Sequence, residues 1–175
     1  MSPEILLLGI GNILLRDEGI GVHTVNKIKE RYTFEPEIDI IDGGTKGLDL
    51  LPLFEGRKKV LIVDAVDWGN KPGSISILRN GEIPARLHSK LSVHHIGLGE
   101  VLLAAQMLNI MPEEICLVGI QPGSIDTGID MTPEVNSKME DLISTVIDIL
   151  RDWGVKCLKR SGDKDVSCGT IKDNK

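Results

Sequence analysis

Three groups of side chains in this chain have the residue types needed to bind a metal ion. Asp17 and Glu18 follow the first apolar run, Asp64 follows a later one, and His94 lies beside His95 shortly before a helical pattern. Two carboxylates and an imidazole provide oxygen and nitrogen ligands, which suit a divalent transition metal with positions left for substrate or water. The sequence therefore predicts a metal site, although these residue types do not select the metal or the reaction.

Taken singly, each group also has a structural explanation. An acid at the start of a helix, such as Asp17 or Glu18, interacts favourably with the helix dipole. A lone histidine that precedes a helix is more often structural than a ligand, and an aspartate after a buried strand is not specific to metals. The site is favoured because parallel strands end at one edge of a sheet, where all three groups are predicted to meet.

The stretch LLLGIGNILLRDEGIGVH begins like a nucleotide-binding turn and then departs from that pattern. Leu14 stands where a third glycine would let the helix approach, and the acids Asp17 and Glu18 would repel a pyrophosphate. No Gly-Lys-Ser/Thr follows, as a Walker A loop would require. The junction between strand and helix is therefore predicted to meet a cation rather than a phosphate.

Other hydrolase signatures are incomplete or missing. Asp126-Thr127-Gly128 resembles the aspartic-protease motif, but that chemistry needs two carboxylates that share a proton, and the motif occurs once. The sequence contains no Gly-x-Ser-x-Gly and no His-Glu-x-x-His motif, which leaves a serine hydrolase or a thermolysin-like enzyme without support.

The composition narrows the class of protein further. The chain of 175 residues carries a formal net charge of −6 and only 3% aromatic residues, which argues against a nucleic-acid-binding protein. Its three cysteines form no Cys-x-x-Cys pair, which argues against a disulfide framework and favours a reducing compartment. No apolar segment approaches the length of a membrane span, and the N-terminus lacks the features of a secretory signal.

Strand and helix patterns alternate along the chain. The predicted strands are Ile5–Ile10, Ile38–Ile41, Val60–Val63, Ser74–Leu78 and Ile115–Ile120. The predicted helices are Ile20–Tyr32, Leu48–Phe54, Ile96–Leu108 and a last one from Thr132-Pro133 to about Trp153.

This order predicts an α/β three-layer sandwich with a mostly parallel twisted sheet of about five strands and helices on both faces. The segment Ser74–Leu78 is expected to be an antiparallel edge strand, because it alternates small polar and apolar residues. Residues 1–160 are expected to form a single domain, and residues 161–175 a polar, flexible tail.

A series of motifs covers the chain from about Ile5 to Arg160. They are Gly9-x-Gly11-Asn12-x-Leu14-x-x-Asp17-Glu18-x-Ile20-Gly21-Val22, Asp42-Gly43-Gly44-Thr45-x-Gly47, Val63-Asp64-Ala65, Pro72-Gly73, Ser92-x-His94-x-x-Gly97-Leu98, Val118-Gly119-x-x-Pro122 and Met131-Thr132-Pro133. In this order they resemble the hydrogenase maturation endopeptidases of nickel-iron hydrogenases. No single motif is specific, but together they span nearly the whole chain.

The resemblance implies a cytoplasmic endopeptidase that removes a short C-terminal extension from the hydrogenase large-subunit precursor after nickel insertion. It implies that Glu18, Asp64 and His94 are the metal-binding and catalytic residues, since they occupy the family's ligand positions. His94 stands at the Ser-x-His position of the motif, whereas His95 falls where the family varies. Asp17 is then expected to support the ligands structurally.

The resemblance also implies a substrate-binding loop, made of Asp42, Gly43, Gly44 and Thr45. Nickel is expected to come with the precursor as the recognition element, with other divalent metals able to substitute. A monomer without nucleic-acid or membrane partners is expected. Two alternatives stay open: a non-catalytic nickel-dependent maturation chaperone or checkpoint, and a general metal-dependent peptidase.

Overall fold

A computed structural model describes residues 3–83 and 97–160 of the chain. The strands are β1 (Ile5–Ile10), β2 (Tyr32–Glu35), β3 (Asp39–Gly44), β4 (Lys59–Ala65), β5 (Ile75–Arg79), β6 (Glu114–Ile120) and β7 (Lys156–Lys159). The α-helices are α1 (Ile20–Arg31), α2 (Leu98–Met107), α3 (Pro133–Asn136) and α4 (Met139–Asp152). Two 3-10 helices span Arg16–Gly19 and Gly47–Leu53. Within these residues no helix is long and apolar enough to cross a membrane.

Five strands form the central sheet in the order β3-β1-β4-β6-β5. All neighbours are parallel except β5, which runs antiparallel to β6 at the edge. Helices α1 and α4 bury their apolar side chains on one face, and α2 packs on the other face with the 3-10 helix Gly47–Leu53. The predicted fold class, including the antiparallel edge strand, is confirmed.

The central strands form where the sequence has continuous apolar runs, because both faces of the sheet are covered. The first helix lies very close to two of them at Gly21. A Cβ atom at Gly21 would come within 2.2 Å of the Val63 carbonyl oxygen and 2.3 Å of the Ile10 carbonyl oxygen. Only glycine permits this approach, which holds the start of α1 against the ends of β1 and β4.

A second, two-stranded sheet was not predicted from the sequence. Strand β2 follows α1 directly and pairs antiparallel with β7, with Tyr32 opposite Lys159 and Glu35 opposite Lys156. Each strand has four residues, and the pairing joins distant parts of the chain. Local patterns carry little information about such short, partly exposed strands.

The last predicted helix is interrupted. The structure has the short helix α3, a break at Ser137 and Lys138, and then α4. The hydroxyl of Ser137 donates a hydrogen bond of 2.8 Å to the carbonyl oxygen of Glu134, an alternative to helical pairing that serine offers. Thr132 does occupy the N-cap position of α3, but its side chain makes no capping hydrogen bond there.

Candidate active site

A cavity of about 580 Å³ opens at the carboxyl ends of β1 and β4. Both Glu18 and Asp64 line it, although they belong to different strand–helix connections. Ligands bind at this edge of open parallel sheets, because the loops that follow the strands converge there. The structure thus brings together the two carboxylates that the sequence predicted to meet.

Glu18 is positioned by a tight turn after β1. The amide of Gly11 donates a hydrogen bond of 3.0 Å to the carbonyl oxygen of Gly44 at the end of β3. Gly11 has a φ of 137°, and a Cβ atom there would lie 1.8 Å from the carbonyl oxygen of Glu18. The turn can therefore pass directly beneath the acidic residue only because position 11 has no side chain.

Asp64 lies at the end of β4 and is partly buried beside the cavity. Burial raises the pKa of its carboxyl group well above the ordinary value, although a hydrogen bond from the backbone amide of Ala65 opposes this effect. The negative charge of Glu18 raises the pKa of Asp64 further. Two carboxylates that line one cavity and repel each other could hold a cation between them.

Asp17 faces away from this arrangement and is fully buried. Its carboxylate accepts hydrogen bonds from the amides of Gly123 and Ser124 at 2.8 and 3.0 Å. It also accepts bonds from the amide and the hydroxyl of Thr132 at 2.7 and 2.8 Å. Burial alone would raise the pKa of Asp17, but these hydrogen bonds hold the pKa below its usual value. Asp17 therefore fastens the segment 123–132 to the turn that carries Glu18.

Only part of the predicted substrate-binding loop lines the cavity. Gly44 and Thr45 line it, whereas Asp42 and Gly43 are not among the residues that line it. The Asp42 carboxylate instead accepts a hydrogen bond of 3.0 Å from the amide of Gly44, which shapes the loop from behind. Gly43 is buried against β1 and the side chain of Leu50.

His94 and His95 lie outside the described residues, so their predicted roles stay predictions. Gly97 and Leu98, where the described chain resumes, both line the cavity. Within residues 3–83 and 97–160, no group of three histidine, cysteine or acidic side chains is placed to hold a metal ion. The described part of the site is thus the pair Glu18 and Asp64.

A family model described as "HycI: Hydrogenase maturation protease" matches residues 22–149 of the chain. The chain belongs to the hydrogenase maturation protease family. It is accordingly a hydrolase of the endopeptidase type.

Individual relatives and structures agree with this family. The chain is 40% identical to the Hydrogenase 2 maturation protease of Escherichia coli (strain K12) over 163 residues, which cover 93% of this chain and 99% of that protein. It is 38% identical to the Hydrogenase expression/formation protein HupD of Bradyrhizobium diazoefficiens, over 90% of this chain and 83% of that protein. The solved structure of the hydrogenase maturating endopeptidase HybD from E. coli superposes with a TM-score of 0.84 at 40% identity, covering 91% of this chain and 99% of that one.

The protease has cavity residues that sequence reasoning missed. Lys46 and Asp49 line the same wall as Thr45, next to the start of the 3-10 helix. The only feature of the sequence that pointed to Lys46 and Asp49 was their position shortly after the Asp42–Thr45 motif. Their charge was no guide, because charged residues in loops usually face solvent. Asp126 of the protease-like triplet instead accepts a hydrogen bond of 2.8 Å from the Ser124 hydroxyl and does not line the cavity.

Proposed function

We propose that this protease removes the C-terminal extension of a nickel-iron hydrogenase large-subunit precursor after nickel has been inserted. The nickel already held by the precursor is the recognition element, and Glu18, Asp64 and His94 contact it together. The observation that carries the proposal is that Glu18 and Asp64 line one cavity, where burial and, to a smaller extent, the charge of Glu18 raise the pKa of Asp64. A cation from the substrate would remove this repulsion.

The chemistry is hydrolysis of one peptide bond by water. Water adds across the bond, so that the large subunit gains a new carboxyl terminus and the extension leaves with an amino group. Nickel would orient the cleavage segment and polarise the reacting carbonyl or water, and a carboxylate in the cavity would accept the proton of the water. The described residues that line the cavity include no serine or cysteine, and we therefore propose no acyl-enzyme.

We propose that the protease acts as a monomer in the cytoplasm. The odd number of cysteines supports a reducing compartment. Sedimentation of the purified protein, alone and with precursor, measures the oligomeric state directly.

Nickel dependence separates this function from a general peptidase. Nickel-loaded precursor is expected to lose the mass of its extension when mixed with the protease, while nickel-free precursor keeps its full mass. Intact-mass spectrometry of the large subunit measures both. Equal cleavage of the two forms contradicts nickel recognition, and stable binding without cleavage identifies a non-catalytic checkpoint. The Glu18→Gln variant serves as the inactive control.

The two neighbouring histidines are expected to differ sharply. His94→Ala should reduce processing by about a hundredfold or more, because it removes an imidazole ligand. His95→Ala should retain much of the activity. The rate of extension loss measures both, and the far-ultraviolet circular dichroism of the variants should match that of the wild type. If His95→Ala were as inactive as His94→Ala, the assignment of His94 rather than His95 as the ligand would be contradicted.

A further inference from the structure

Four large apolar side chains are exposed on two loops, one of which leads to the cavity residue Glu18. The exposed fractions are 46% for Ile13, 59% for Leu14, 59% for Ile125 and 72% for Ile129. With Arg16, these residues make up what we term the rim surface. Large apolar residues grouped on a surface mark sites of protein interaction more often than isolated ones do.

Backbone hydrogen bonds join the two loops of the rim surface. The amide of Gly128 donates to the carbonyl oxygen of Leu14 at 2.9 Å, and the amide of Arg16 donates to the carbonyl oxygen of Gly128 at 2.8 Å. The buried carboxylate of Asp17 fastens the second loop again at Gly123 and Ser124. The rim surface is therefore ordered before any partner arrives, which lowers the entropic cost of binding.

Arg16 adopts a backbone conformation that its residue type disfavours. Its φ of 48° lies in the left-handed region, which glycine and asparagine enter far more easily. The stem of its side chain lies over Gly128, where a Cβ atom would come within 3.1 Å of Cγ and 3.2 Å of Nε. A strained residue beside an active site indicates that its side chain has a use.

That use is not found inside the described part of the protein. The guanidinium group of Arg16 makes no hydrogen bond or ion pair with residues 3–83 or 97–160. Arginine is enriched among the residues that dominate binding energy at protein interfaces. Its planar group fits a carboxylate with two parallel hydrogen bonds.

The first loop of the rim surface lies between two cavity residues in the chain. Residues 12–17 connect Gly11 to Glu18, and both Gly11 and Glu18 line the cavity. A protein that places a metal ion between Glu18 and Asp64 therefore comes within two residues of Arg16 along the chain. Its face would need apolar side chains around an acidic one, to match the exposed apolar side chains of the rim and the positive guanidinium of Arg16.

We propose that the rim surface docks the hydrogenase large-subunit precursor, with Arg16 pairing to a carboxylate that apolar side chains surround on the precursor. This inference rests on the proposed function and adds the residues that select the partner. Arg16 is a specificity-determining residue that does not touch the reacting bond. Its pairing strengthens binding of the precursor rather than the chemical step.

The decisive variant is Arg16→Gly, because it removes the guanidinium and also relieves the strained φ. The thermal unfolding midpoint is expected to stay the same or rise, while the KM for nickel-loaded precursor rises about tenfold with little change in kcat. Arg16→Lys keeps the charge and should recover part of the loss. Raising the ionic strength should increase the KM of the wild type more than that of Arg16→Gly.

The apolar part of the rim has a matched pair of variants. Ile129→Ser should raise the KM for precursor several-fold, while Leu158→Ser should leave it unchanged. Leu158 is 51% exposed on β7 in the second sheet, so it controls for the loss of an exposed apolar side chain. Initial rates of extension loss over a range of precursor concentrations give both values.

The possible outcomes distinguish the docking proposal from the proposed function on which it rests. Wild-type protein that leaves nickel-loaded precursor uncut overturns both. Normal cleavage with an unchanged KM in Arg16→Gly and Ile129→Ser overturns the docking surface alone. A lower unfolding midpoint in Arg16→Gly with an unchanged KM shows that Arg16 is purely structural. Sedimentation that shows a dimer of the wild type broken by Ile129→Ser assigns the surface to a second copy of the chain instead.

Discussion

Asp64→Asn is expected to abolish precursor processing and at the same time to make the folded protein more stable. Burial raises the pKa of the Asp64 carboxyl well above its ordinary value, and the charge of Glu18 adds to the effect. The folded protein therefore binds this proton more tightly than the unfolded chain does. Ionisation of Asp64 therefore destabilises the folded state. The stability of the folded protein falls as the pH rises above the ordinary aspartate pKa and through the raised pKa of the folded state.

Asparagine removes that cost because it has no charge to bury. The gain in the unfolding midpoint should be small below the ordinary aspartate pKa of about 4 and should grow as the pH rises above it. Processing should fall by about a hundredfold or more, since a neutral amide neither binds the metal as a carboxylate does nor accepts a proton. Such opposition between stability and activity is common at functional sites.

Thermal unfolding at several pH values, together with the rate of extension loss, tests both halves of this expectation. Asp148→Asn is a suitable control, because Asp148 is exposed on α4 and its ion pair with Arg151 lies at the surface. That control should change neither quantity appreciably. A variant Asp64→Asn that processes precursor normally would remove Asp64 from the site. One that unfolds more easily than the wild type would contradict its unfavourable burial.

The convergence of Glu18 and Asp64 could be predicted from the sequence because it depends on topology alone. Two apolar runs of the right length, each followed by an acid, become neighbouring parallel strands β1 and β4. Their carboxyl ends must then lie side by side, whatever the details of the loops. Burial on both faces makes such strands the easiest elements to recognise.

What residue types alone could not predict depends on contacts between distant segments. Asp17 and Glu18 are adjacent in sequence, yet Asp17 is buried against residues 123–132 and Glu18 lines the cavity. Their residue types do not separate the two roles, and only the resemblance to the family predicted a supporting role for Asp17. The pairing of β2 with β7 could not be predicted for the same reason, since it joins segments that are far apart in the sequence.

The positive φ of Arg16 could not be predicted from the sequence either. Sequence patterns reveal left-handed backbone mainly through glycine and asparagine, and arginine gives no such signal. The exposed apolar side chains of the rim surface would have been assigned to the interior by their type alone. Exceptions of this kind, where local preference and structure disagree, concentrate at functional surfaces.

The largest loss of stability is expected at Asp17. Asp17→Ala would leave two backbone amides of residues 123 and 124, and both donors of Thr132, without their buried acceptor. Unsatisfied buried donors are costly, and we expect the free energy of unfolding to fall by about 3–5 kcal/mol. Chemical denaturation measures this change. A loss below about 1 kcal/mol would contradict the role of Asp17 as the clamp of this loop.

Asp17→Asn is the matched variant, because its side-chain oxygen can still accept three of the four hydrogen bonds that the Asp17 carboxylate accepts, although its NH2 group would face the amide donor of Thr132. It should therefore be less destabilising than alanine.

Comparing the wild type with Asp17→Asn also tests the contribution of the negative charge of Asp17. Hydrogen bonds hold the pKa of Asp17 below its usual value, so its contribution is present above the unfolded pKa of about 3.9 and is lost as the pH falls through the lowered folded pKa. Wild type should therefore lose more stability than Asp17→Asn on acidification below pH of about 4, because only the aspartate has a proton to take up there.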